Sequence, residues 1–105
     1  MDIDGWRAQI DEIDAQLVRL LNERATCAVQ IGQIKRKNGQ RVYDPKREQR
    51  ILERVTSMSS GPLTEDAIRR LFERIIDESR RLERLHAERN DSLSADPRPA
   101  EDHNP

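Results

Sequence analysis

Arg24 and Lys35 stand eleven positions apart in a stretch whose apolar residues, Trp6, Ile10, Ile13, Leu17, Leu20, Leu21, Ala28 and Ile31, recur at steps of three and four. At about 100° per residue on a helix the two cations lie only about 20° apart, on the face they share with Leu17, Leu21, Ala28 and Ile31. Their separation along the axis is about 16 Å, so two long side chains leaning together leave room for a small dianion. The plainer alternative is that both stems lie along apolar surface with their charged heads in water. A second group, Asp44, Arg47 and Glu48, shares one side of a following helix through spacings of three and four. It reads either as part of a polar site or as a cap with a surface ion pair of under about 1 kcal/mol. Ser79 and Glu83 form the third group, four apart on or beside another apolar stripe. An inward Glu is costly unless paired or protonated, so this position suggests a lined pocket; a plain core stripe is the alternative.

Other chemistries find no support in the residue pattern. His86 and His103 have no neighbouring carboxylate or Cys arrangement with metal-ligand spacing, so no metal is expected. No nucleophile and base pair, Gly-rich phosphate loop or dinucleotide fingerprint is visible, and no cofactor is expected. A pocket built from these three groups works with fixed charges and hydrogen bonds.

The elements that must position them are three helices, giving an all-α chain. The first runs from about Ile3 to about Asn38 without an internal Pro and with only Gly32 as a weak interruption. At 1.5 Å per residue it spans about 50 Å, more than the rest of so small a chain can cover. Sustained spacing of this kind predicts a partner helix from a second copy, hence a dimer. Asn38 and Gly39, both tolerant of the left-handed conformation, stop it. Asp44 then caps a short second helix with Pro45 at its first position and Ile51, Leu52, Val55 and Met58 on its inner face. Thr56 to Leu63 reads as a loop. Thr64 caps a third helix, with Ile68, Leu71, Phe72, Ile75, Ile76, Ser79, Leu82 and Leu85 as its stripe. Periodicity fades near Ala87. Residues 1–88 are therefore expected to form one helical domain, and 89–105 a disordered polar tail.

Composition narrows the partners. The chain has 105 residues, 34% hydrophobic and 37% charged, which is lean for a self-sufficient core. A net charge of −1 with basic and acidic residues interleaved offers no basic face, so nucleic acid is not an expected partner. The single Cys27 has no intrachain disulfide partner, which fits a reduced compartment. No charged-then-apolar leader opens the sequence and no apolar run approaches the length that crosses a membrane, so the expectation is a cytoplasmic protein.

Taken together, the stretches WRAQIDEIDAQLVRLLNERA from Trp6, IGQIK ending at Lys35, VYDPKRE from Val42 followed by ILERV, and LFERIIDESRRLE from Leu71 resemble the all-helical chorismate mutase family, specifically its small bacterial domains. They cover most of the chain in order. The resemblance implies an interwoven homodimer of three-helix chains that rearranges chorismate to prephenate, without cofactor, on the way to phenylalanine and tyrosine. It also implies roles for single residues. Arg7, Arg24 and Arg47 resemble the carboxylate-binding arginines, with Arg7 serving the other subunit's site. Lys35 resembles the lysine at the ether oxygen and a carboxylate, Asp44 and Glu48 the pair near the ring hydroxyl, and Ser79 a contact to the ring carboxylate. Glu83 falls where relatives carry Gln or Glu, opposite the same ether oxygen. Lys35, Glu83 and Arg24 are thereby the expected catalytic residues.

Two rivals share the fold, an isochorismate pyruvate lyase and an aminodeoxychorismate mutase, since each needs nearly the same cations. A third, of a different class, is a non-enzymatic helical dimerisation or regulatory module, in which Arg24, Lys35 and Glu83 would be replaceable without loss. Docking to another enzyme of the pathway is a further expectation that sequence alone leaves open.

Overall fold

The computed structural model describes residues 1–95, which form three helices and no strand: α1 (Ile3–Lys37), α2 (Pro45–Met58) and α3 (Glu65–Ala95). Asp2 starts α1 by accepting the Gly5 N–H at 2.8 Å, and Lys35, Arg36 and Lys37 occupy its last turn, where cations oppose the helix dipole. The stop falls to Gly39 alone: it takes φ +73°, while Asn38 stays at φ −90°. That turn brings the Gln40 N–H back to the Lys35 carbonyl at 2.7 Å.

Asp44 caps α2 by accepting the Arg47 N–H at 3.0 Å, with Pro45 inside the first turn. The expected loop from Thr56 begins instead at Ser59, because α2 continues to Met58. Its inner face is Ile51, Leu52, Val55 and Thr56, whereas Met58, the last helical residue, is 71% exposed. Thr56 tolerates burial because its hydroxyl donates to the Leu52 carbonyl at 2.8 Å within the same helix. Thr64 caps α3 by accepting the Ala67 N–H at 3.1 Å.

The helix then runs to Ala95, past Ala87 where the apolar pattern fades, so residues 89–95 of the expected disordered tail are helical. Extending a formed helix adds one hydrogen bond per residue, and no Pro interrupts before Pro97. The rest of that tail lies outside the described residues.

Ile51, Leu52 and Val55 of α2 meet Ile76 of α3, with Ile68 and Phe72 packed beside them. α3 also packs on α1, where Val29 and Gly32 are buried. The chain measures 61 × 33 × 14 Å, so it is flat, and among the described residues nothing covers the N-terminal half of α1. Trp6 and Ile10 are each 55% exposed and Leu17 is 50% exposed, although their spacing is that of a buried stripe.

Candidate active site

The C-terminal half of α1, the inner face of α2 and the middle of α3 converge on a cavity of about 240 Å³. α1 contributes Arg24 and Lys35, α2 and its cap contribute Asp44, Arg47, Glu48 and Arg54, and α3 contributes Ser79, Arg80 and Glu83. Ala28, Ile31, Val42, Ile51 and Ile76 give it apolar walls. Seven of the eight residues singled out in the sequence thus surround one space. Arg7 does not: it is exposed near the start of α1.

Arg24 donates from Nη1 to Ser79 Oγ at 3.2 Å, tying α1 to α3. Burial lowers its pKa, and the neighbouring Arg47 and Arg54 cations lower it further, against a smaller opposing effect of Glu83. A guanidinium stays protonated under such stress, so these three arginines repel one another across a space that a bound anion would relieve. Lys35 Nζ stands 3.6 Å from Asp44 Oδ2, and both residues line the cavity. Asp44 is held below the usual carboxylate range chiefly by the Arg47 N–H it accepts, with Lys35 and Arg50 assisting against a partial loss of hydration.

Glu83 moves the other way. Burial raises its pKa and Glu48 adds to the rise, while Lys35, Arg36 and Arg24 oppose it without prevailing. Its stem lies against α1 beside Gly32, where an added Cβ would stand at an ordinary contact distance of 3.6 Å from Glu83 Cγ. The cavity therefore offers a ring of fixed cations and one carboxyl biased toward its protonated, hydrogen-bond-donating form.

Arg54 and Arg80 also line the cavity and were missed from sequence. Arg54 is seven residues after Arg47, two helical turns along the same face, so the signal was present in the spacing. Arg80 sits off the apolar stripe and only the packing of α2 and α3 reveals it. Cys27 is an exposed free thiol at the cavity wall. Among the described residues no three His, Cys, Asp or Glu side chains are arranged to hold a metal ion, and no helix is long and apolar enough to cross a membrane.

Residues 6–84 match the family described as chorismate mutase type II. The chain belongs to that family. It is 42% identical over 78 residues to the bifunctional chorismate mutase/prephenate dehydratase of Neisseria gonorrhoeae, a match covering 74% of this chain and 21% of that protein. It is 29% identical over 83 residues to the chorismate mutase of Methanocaldococcus jannaschii, covering 78% of this chain and 84% of that one. Among solved structures, the Form II chorismate mutase of Thermus thermophilus superposes with a TM-score of 0.76 at 35% identity, over 78% of this chain and 93% of that chain. The chain spans about a fifth of the length of the bifunctional relatives it matches. The all-helical chorismate mutase architecture expected from the sequence is the one observed.

Proposed function

We propose that this chain is a chorismate mutase, an isomerase that rearranges chorismate to prephenate in phenylalanine and tyrosine biosynthesis. The observation that carries the reading is the cavity in which Arg24, Arg47, Arg54 and Lys35 face a carboxyl, Glu83, displaced toward its protonated form. In this Claisen rearrangement the ether C–O bond breaks as a C–C bond forms, in one cyclic shift of electrons within the substrate. No proton leaves, so a nucleophile or general base has nothing to do. Two things lower the barrier: holding the dianion in its compact diaxial shape, and placing donors where negative charge grows on the ether oxygen.

Arg24 and Arg47 suit the first task, because planar guanidinium forks match carboxylates. Ser79 accepts from Arg24, which leaves its own hydroxyl hydrogen free to donate to the ring carboxylate. Lys35 and protonated Glu83 suit the second task, at the ether oxygen. Asp44 and Glu48, as cavity-lining carboxylates, suit a ring hydroxyl as acceptors.

Arg7 acts in this reading from a second copy. It precedes Arg24 by seventeen residues, about 25 Å along α1, too far to reach its own chain's cavity. The half-exposed stripe of Trp6, Ile10 and Leu17 favours a second α1 laid against it in an interwoven homodimer, which would carry Arg7 across. The names of the bifunctional relatives pair this chemistry with prephenate dehydratase, which favours docking to an enzyme that consumes the product. The free Cys27 fits a cytoplasmic setting.

The test is to incubate the purified chain with chorismate, follow the loss of its ultraviolet absorption and identify the product. Prephenate is expected. Activity only on isochorismate or on aminodeoxychorismate would move the assignment within the fold, and no turnover of any of the three would favour a non-enzymatic dimerisation module.

A further inference from the structure

Arg80 meets three segments at the cavity wall. Its Nε stands 3.2 Å from Glu48 Oε2 on α2, Nη2 bonds Asp77 one turn back on α3, and its guanidinium carbon lies 5.3 Å from the centre of the Tyr43 ring in the connection between α1 and α2. The Nε is shut off from water and, although close to Glu48, makes no aligned hydrogen bond, so the tie to Glu48 is electrostatic. Beyond Arg80 lies a second hollow of about 300 Å³, bordered by Tyr43, Arg36 and Arg84. Arg80 and Glu83 belong to the walls of both spaces.

Glu48 poses a problem that this arrangement solves. Its side chain is only 22% exposed, and an unbalanced carboxylate in a cavity for a dianion repels the ligand before and during reaction alike. We infer that Arg80 is a positioning residue: it balances and aims the Glu48 carboxylate at the cavity wall and, lying on Tyr43, closes the partition between the site and the neighbouring hollow. A planar fork can meet two acids and an aromatic face at once, whereas a lysine ammonium meets them as a single point. The kinetic side of this inference rests on the proposed chorismate mutase activity; the clasp itself does not.

The experiment combines Arg80→Met, which keeps the stem and removes the charge, Arg80→Lys, and Glu48→Gln alone and with Arg80→Met. Because the unbalanced charge acts on ground and transition states alike, Arg80→Met should raise KM for chorismate about tenfold with kcat within about threefold of wild type. Arg80→Lys should recover part of that loss. In the Glu48→Gln background the same Met substitution should change KM by less than about twofold. An equal effect in both backgrounds would mean that Arg80 acts on substrate directly, and a lower Tm with unchanged kcat and KM would mean that it only braces the fold; either result overturns the inference.

An NMR measurement stands apart from turnover. The Arg80 Nε–H resonance should be protected from solvent exchange in the wild type and lose protection in both Glu48→Gln and Tyr43→Leu. If wild type fails to convert chorismate, the proposed activity falls, yet this signal still decides the clasp: an unprotected Nε–H, or protection indifferent to both substitutions, refutes it.

Discussion

Replacing Glu83 by Gln separates a hydrogen-bond donor from a charge. Burial, aided by Glu48, holds the Glu83 carboxyl above the ordinary carboxylate range, and Lys35, Arg36 and Arg24 only moderate the rise. The protonated form can donate to an oxygen gaining negative charge; the carboxylate cannot, and repels it. Above its pKa the protonated fraction falls about tenfold per pH unit, and wild-type kcat/KM should fall with it. Loss of one donor to a developing oxyanion is worth about 2.7–4 kcal/mol, so the fall should level off after about 10²- to 10³-fold. Glu83→Gln, a donor at every pH, should give a flat profile that crosses above the wild type at alkaline pH.

Stability moves in the same sense. A carboxyl whose folded pKa is raised contributes stability that is complete below its unfolded pKa and is lost as pH rises through the folded one. The Gln variant should therefore melt higher than wild type in alkali, with the gap closing in acid. The assay is chorismate consumption across about pH 5 to 9, with thermal melts at the same points. Parallel profiles for the two proteins would refute the donor role.

Asp44 should show the opposite pH dependence. Its pKa is held down in the fold by the Arg47 N–H and by Lys35, so its charge stabilises above the ordinary carboxylate range and ceases to do so as pH falls through the depressed value. Asp44→Asn keeps a capping side chain, so its Tm should trail wild type at neutral pH and converge on it in acid; a gap independent of pH would show that the charge is not involved. Gly32→Ala should stabilise by about 0.5–1 kcal/mol, or about 2–8 °C in Tm, through helix propensity. The nearest atom to the new methyl, at 3.4 Å, is the far end of the flexible Arg36 side chain, so a drop in Tm would mean that α1 and α3 pack more tightly at Gly32 than this spacing implies.

The parts of the site carried on one helix were legible in the sequence, because helical periodicity fixes their relative direction. Arg24 with Lys35, Asp44 with Arg47 and Glu48, and Ser79 with Glu83 are all pairings of this kind, and the structure places all of them at one cavity. What depends on how helices meet was not legible. The sign of the Glu83 shift needed its burial between the packed helices and the distances to cations on α1. Arg80 gains its partners only when α2 and the Tyr43 segment come against α3. Helix ends were the other gap: Thr56 looks like a loop residue until its hydroxyl is seen satisfied by Leu52, and α3 outruns its apolar stripe because helix extension needs no packing.

This cavity should turn over chorismate only once a second copy supplies Arg7. Arg7→Ala and Lys35→Ala should each be nearly inactive alone, and activity should return when the two are unfolded together and refolded. A mixed dimer has one site with both residues intact and one with neither. Random pairing makes about half of the dimers mixed, so about a quarter of all sites should recover. Recovery near that fraction would establish a shared site in a homodimer. A well-folded mixture with no regained activity would mean that Arg7 does not cross between copies and that the site is not shared.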